Sequence, residues 1–150
     1  MQVGDIMTTD VRTASPDDTL ADAARTLHDN VISAVVVVEE TSPAGIVTER
    51  DIVNLVASGE DPGRTSVRDR MTTDLATVDS RTDIADAARL MAERKIRHLP
   101  VVDRGRLVGI VSIRDLTNWA VGEMTTGHEL PDMERSAAAL SAAVEAKREE

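Results

Sequence analysis

The sequence predicts a mixed α/β (α+β) fold made of two tandem copies of one β-α-β-β-α unit. Three observations carry this. The chain repeats itself at a fixed spacing: 21 of the 53 positions from Val3 to Leu55 carry the same residue 64 places later, with no gap. Within each copy, apolar residues at helical spacing alternate with short β-branched runs. The composition, 41% hydrophobic and 29% charged, is that of a chain that packs a core.

The elements follow in order. Val11 to Ala14, matched by Leu75 to Val78, predicts the first strand. Ser15-Pro16-Asp17-Asp18 reads as a helix start: a capping Ser, Pro at the first helical position and an acid three residues on. Leu20, Ala23, Ala24 and Leu27 then share one helical face. Ile32 to Val38 is β-branched almost throughout and short for a helix, which predicts a buried strand. Thr41-Ser42-Pro43 predicts a turn, and Ala44 to Val47 a second strand. Thr48 caps the next helix, with Asp51 three residues on and Ile52, Val53, Leu55 and Val56 following. In the second copy Ser80 and Asp83 mark the first cap, Leu99 to Val102 and Leu107 to Val111 are strands, and a helix begins at Ser112.

Gly59 to Thr65 is polar and turn-rich and reads as the linker. A third Met-Thr-Thr, at Met124, has no repeat body behind it and reads as chance. Met133, Ala137, Leu140 and Val144 form one stripe of a tail helix that Pro131 begins. The expected domains are residues 1–60 and 66–122, followed by a helical tail at 130–150. One copy of about 55 residues is marginal alone, so the two are expected to share a core about a pseudo-two-fold axis.

Composition excludes several function classes. With no cysteine, disulfides, thiol catalysis and Cys-ligated zinc fall away. Trp119 is the one aromatic residue, so stacking on bases is not available, and a net charge of -10 opposes phosphate backbones and anionic membranes. No leader opens the chain and no apolar run approaches a membrane span, which predicts a soluble, cytoplasmic protein without nucleic-acid or membrane partners. Asp outnumbers Glu 16 to 11 and Arg outnumbers Lys 15 to 2, which fits a salt-adapted surface as well as a generically acidic one. His28, His98 and His128 lack metal-ligand spacing, and no nucleophile elbow, Walker loop or dinucleotide fingerprint occurs. The expectation is a protein that is not an enzyme and needs no obligatory cofactor or metal.

Met-Thr near the start, the Ala-Ala helix, Ile96-Arg97-His98-Leu99-Pro100-Val101-Val102-Asp103 and the two Gly-Ile-Val-[Thr/Ser]-x-x-Asp segments together resemble the cystathionine-β-synthase (CBS) domain. Two in tandem resemble a CBS pair, or Bateman module, over residues 3 to 121. The second copy fits better, because the first reads Ile32-Ser33-Ala34-Val35-Val36 where the second has Arg-His-Leu-Pro. The resemblance implies a regulatory module that binds an adenosine derivative (AMP, ADP, ATP, NAD or S-adenosylmethionine) in clefts between the copies. It also implies a homodimer that acts on a separate regulated protein. The alternative is a dimerisation or interaction scaffold with no working nucleotide site.

The resemblance places Asp51 and Asp115 at the ribose, where a carboxylate can accept from both hydroxyls; alone, each also reads as the acid of a capping box. Thr48 and Ser112 stand at helix starts suited to phosphate or to ordinary capping, with Arg50 and Arg114 two residues later. Arg97 and His98 match the family's phosphate-contacting stretch. Thr13 and Thr77 match its adenine pocket, where Ile32, Val78 and Ile96 would supply apolar contact or simply pack the core. Charge is split between the copies: residues 1–64 hold 4 Arg+Lys against 12 Asp+Glu, and residues 65–128 hold 10 against 9. The run Ile52, Val53, Leu55, Val56, with Leu116 and Trp119, predicts an apolar dimer face.

Overall fold

The computed structural model describes residues 1–126 and, in the tail, residues 141, 142, 144 and 145, which are helical. The rest of the expected tail helix lies outside the described residues. The first copy runs β1 (Thr13–Ala14), α1 (Leu20–Asn30), β2 (Ala34–Glu39), β3 (Ser42–Thr48) and α2 (Glu49–Ala57). A short α3 (Val67–Arg70) leads to α4 (Ile84–Arg94), β4 (His98–Asp103), β5 (Arg106–Ser112) and α5 (Ile113–Thr126). This is the tandem α/β arrangement that the repeat predicts.

β1 lies parallel to β2, with Thr13 opposite Val36, and β2 lies antiparallel to β3, from Ala34 opposite Thr48 to Glu39 opposite Ser42. Ala34 to Val37 are all buried, so β2 is apolar on consecutive residues instead of alternating. In the second copy β4 pairs with β5, and the counterpart of β1 is one parallel bridge, Val78 with Val101.

Three local expectations are corrected. Ser15-Pro16-Asp17-Asp18 is a turn, in which Asp18 N–H donates to the Ser15 carbonyl at 3.0 Å and Ser15 N–H to Asp18 Oδ2 at 2.8 Å. The helix cap is Thr19, whose hydroxyl accepts from Asp22 N–H at 3.1 Å while the Asp22 carboxylate accepts from Thr19 N–H at 3.0 Å. This box adjoins the first apolar residue that the core takes, the fully buried Leu20. In α4 the cap is Asp83 itself, accepting from Ala85 N–H at 2.8 Å, and Ser80 turns to Asp103 instead. Pro43 sits within β3, opposite a register shift at Val37/Val38, and the turn is Glu40-Thr41. A bulge tolerates a residue with no N–H to donate.

The chain divides into two compact units whose borders cut across the repeats. One comprises Asp10–Leu75 with Gly105–Leu107; the other comprises Met1–Thr9, Ala76–Arg104 and the chain from Val108. The opening segment of each copy therefore belongs to the unit built by the other copy. Val3 and Val67, 64 residues apart, are both 0% exposed. Val3 packs with Ile84, Met91, Leu99 and Leu116, and Val67 with Leu20, Val35, Val47 and Leu55. Thr8 exchanges two backbone hydrogen bonds with Ile110 (2.9 and 3.0 Å), and Thr72 two with Ile46 (both 3.0 Å). Where the sequence predicts one shared core, the buried residues form two clusters, one in each unit.

Gly109 and Gly45 permit this close approach. A Cβ on Gly109 would stand 2.5 Å from Met7 Sδ and 3.0 Å from the Thr8 carbonyl, and one on Gly45 would stand 2.7 Å from Met71 Sδ and 3.0 Å from the Thr72 carbonyl. The linker is also packed: the Thr65 and Pro62 carbonyls accept from Leu20 N–H (2.9 Å) and Ala21 N–H (3.0 Å), satisfying two free amides of α1. The third Met-Thr-Thr lies inside α5, so the same tripeptide is helical where no glycine-bearing strand receives it. Of the predicted dimer face, Leu55 and Leu116 are buried in their own units, Ile52 and Trp119 are half-buried against those cores, and only Val53 and Val56 on α2 are exposed; outside that prediction, Val121 and Met124 on α5 are exposed as well.

Candidate functional site

Each unit places one copy's predicted residues around the start of a helix. Thr48 ends β3 and caps α2. On the first turn Asp51 Oδ2 accepts from Thr48 N–H at 2.8 Å and from Thr48 Oγ at 3.2 Å. Asp115 Oδ2 accepts from Ser112 N–H at 2.7 Å and from Ser112 Oγ at 3.0 Å, and Ser112 Oγ accepts from Asp115 N–H at 3.2 Å. Both acids are half-buried. The cap thus occupies one oxygen of each carboxylate. Among the described residues nothing bonds the other, Oδ1, which keeps lone pairs for an incoming hydroxyl. The cap therefore leaves one oxygen of each carboxylate available as an acceptor.

A second bond ties each helix start to the entry of the preceding strand. Glu49 N–H donates to the Ser33 carbonyl at 3.0 Å, and Ile113 N–H to the Arg97 carbonyl at 2.9 Å. This sets Ile32-Ser33-Ala34 beside α2 and Ile96-Arg97-His98 beside α5. Ile32 and Ile96 are half-buried and pack against their unit's core. Thr13 lies on the neighbouring strand with its side chain exposed. Thr77 is likewise exposed, and Val78, half-buried, is held by Val78 N–H to the Pro100 carbonyl (3.1 Å) and Val102 N–H to the Val78 carbonyl (2.8 Å). Arg50, Arg97 and Arg114 are exposed, and His98 is half-buried at the start of β4. One unit gathers Thr13, Ile32, Thr48, Arg50 and Asp51. The other gathers Thr77, Val78, Ile96, Arg97, His98, Ser112, Arg114 and Asp115.

Two acids away from the starts of α2 and α5 are held below the usual carboxylate range. The Ser80 hydroxyl (2.6 Å) and then the Ser80 amide (3.0 Å) do this to Asp103. The Thr19 amide and hydroxyl, then Arg25 at 2.6 Å, do it to Asp22. Both acids fix turns or caps. Among the described residues no group of three His, Cys, Asp or Glu could hold a metal ion, and no helix is long and apolar enough to cross a membrane.

The sequence reading passed over Glu49, the first residue of α2, and the opening segments that pair beside each helix start. A signal for the segments exists: Met7-Thr8-Thr9-Asp10 is the longest identical run but for the Ala-Asp-Ala-Ala-Arg helix segment, and each copy keeps one Gly-Ile-Val to receive it.

Comparison with known proteins bears on the whole described arrangement. The CBS domain family matches residues 3–58 and 67–122. The CBS domain-containing protein YhcV of Bacillus subtilis is 41% identical over 124 residues, covering 82% of this chain and 86% of that protein. The CBS-domain protein ATU1752 of Agrobacterium tumefaciens superposes with a TM-score of 0.73 at 34% identity, covering 79% of this chain and 98% of the other. The CBS domain pair of protein MJ0100, solved in complex with 5′-methylthioadenosine and S-adenosyl-L-methionine, superposes with a TM-score of 0.74 at 27% identity, covering 79% of this chain and 98% of the other.

Proposed function

The chain belongs to the CBS domain family as a tandem pair, and from that premise we propose that it is a regulatory module binding an adenosine-containing small molecule and signalling to a separate protein. The observation that carries the reading is the pair of half-buried acids, Asp51 and Asp115. Each holds its helix cap through Oδ2 and leaves Oδ1 unbonded among the described residues, on a helix turn that is tied by a backbone bond to the strand entry next to Ile32 or Ile96. A ribose supplies the two hydroxyls that such a carboxylate accepts. Thr48 or Ser112 and the amides of the first turn then face the 5′ substituent, and an adenine ring finds aliphatic contact at Ile32, or at Val78 and Ile96. The bound pair of MJ0100 supports an adenosyl ligand.

The module works as a homodimer in the cytoplasm, without catalysis of its own. Support for the dimer is the exposed apolar surface on α2 and α5: Val53 at 64%, Val56 at 60%, Val121 at 54% and Met124 at 65%. Calorimetric titration of the full chain with AMP, ADP, ATP, NAD and S-adenosylmethionine tests the reading. Saturable binding of at least one supports it. Silence from all five, with the dimer intact, turns the assignment to a scaffold without a working site.

A further inference from the structure

The two copies reach one backbone arrangement with opposite side-chain charge. The bonds from Glu49 N–H to the Ser33 carbonyl (3.0 Å) and from Ile113 N–H to the Arg97 carbonyl (2.9 Å) fix positions 33 and 97 beside the first turn that carries Asp51 or Asp115. In the first copy those positions hold the uncharged Ser33 and Ala34, and the helix opens Glu49-Arg50-Asp51. In the second they hold Arg97 and His98, and the helix opens Ile113-Arg114-Asp115. Counting formal charges with His neutral, the first set has one cation and two anions, a net of -1. The second has two cations and one anion, a net of +1. Both helix ends present the same positive dipole end, and since Asp115 N–H is already taken by Ser112 Oγ the backbone does not favour the second site for anions, so the side chains make the difference.

Resting on the adenosyl reading above, we propose that the sites divide by the charge of the 5′ substituent. The Asp115 site takes phosphate-bearing adenosine ligands. The Asp51 site takes adenosine compounds whose 5′ group is uncharged or cationic, a thioether or a sulfonium, and rejects phosphate. A ribose held at Asp51 brings its 5′ group to the same turn as Glu49. Within about one Debye length, roughly 8 Å at 0.15 M ionic strength, salt leaves that repulsion largely in place.

The test titrates wild type, Asp51→Ala and Asp115→Ala with 5′-methylthioadenosine, S-adenosylmethionine, AMP and ADP. Asp115→Ala should weaken AMP and ADP at least tenfold and leave a site for the two sulfur compounds. Asp51→Ala should do the reverse. Glu49→Lys changes an exposed side chain and brings the first site from -1 to the second site's +1, so it should raise ADP affinity at the Asp51 site about tenfold. Urea midpoints of each variant show that it is folded. ADP filling both wild-type sites with equal affinity, or the same ligand ranking in both Asp variants, overturns the division and leaves the adenosyl reading standing. No binding by any of the four compounds overturns both.

Discussion

The exchange of opening segments depends on two glycines, and Gly109→Ala tests it. The new methyl would meet Met7 Sδ at 2.5 Å, Met7 Cγ at 3.0 Å and the Thr8 carbonyl at 3.0 Å. The methionine can swing away, but the carbonyl is pinned, because it accepts from Ile110 N–H while Thr8 N–H donates to the Ile110 carbonyl. Overpacking of this kind costs about 1–3 kcal/mol. Giving up the two-bond bridge to relieve it costs a comparable amount, at about 0.5–1.5 kcal/mol per bond. At about 2–4 °C per kcal/mol for a chain near this size, the melting temperature should fall by several degrees. Urea denaturation of wild type, Gly109→Ala, Met7→Ala and the double variant reads the coupling. Gly109→Ala should cost less in the Met7→Ala background, where the sulfur is gone, so the losses should fall short of additive. A Gly109→Ala protein as stable as wild type, or strictly additive losses, would refute the docking of Met7-Thr8 against β5.

Other consequences can be checked separately. Asp103 is held below the usual carboxylate range by Ser80, so its contribution is full above about pH 4 and is lost as pH falls through its lower folded value. Ser80→Ala should therefore destabilise at neutral pH and converge with wild type in acid denaturation. Val31 ends α1 with φ +53 and its side chain 84% exposed, a left-handed conformation that a β-branched residue disfavours. Val31→Asn should stabilise by about 0.5–1 kcal/mol in urea titration, given a penalty of roughly 1–2 kcal/mol for such a residue. Val53→Lys with Val56→Glu should convert a dimer to a monomer in light scattering without shifting the far-ultraviolet spectrum, and an unchanged mass would remove α2 from the interface.

The sequence carried the order of elements because two signals are local: helical spacing in Leu20, Ala23 and Leu27, and the β-branched run through Val35 to Val37. It carried the helix starts at Thr48 and Ser112 because a hydroxyl and an acid three residues apart have one favourable arrangement. It misplaced the first cap because Ser15 and Thr19 both fit that pattern with Asp18 and Asp22, and burial of Leu20 decides between them. It read Gly59 to Thr65 only as a polar, turn-rich linker because nothing local announces that Pro62 and Thr65 offer carbonyls to the amides of α1. Docking of the first opening segment is a contact across more than 70 residues, Val3 to Thr82 and Thr8 to Ile110, that of the second runs back from Thr72 to Ile46, and identity at a 64-residue spacing cannot tell which copy receives which segment. The candidate residues were legible by type and position as cap hydroxyls and cap acids, and their ligand roles only as what the resemblance implies. Their geometry came from the strand-to-helix bonds at Ser33 and Arg97.

On the proposed function, Asp51 and Asp115 hold a ribose with the carboxylate oxygen their caps leave open. Equilibrium dialysis of labelled adenosine ligands against Asp51→Ala, Asp115→Ala and the double variant measures this directly, with circular dichroism confirming that each is folded. Loss of a charged acceptor costs about 1.5–3 kcal/mol, roughly ten- to a hundredfold in affinity. Each single variant should lose that at one site and keep the other, and the double variant should lose both. A folded double variant that binds as wild type does would contradict the claim.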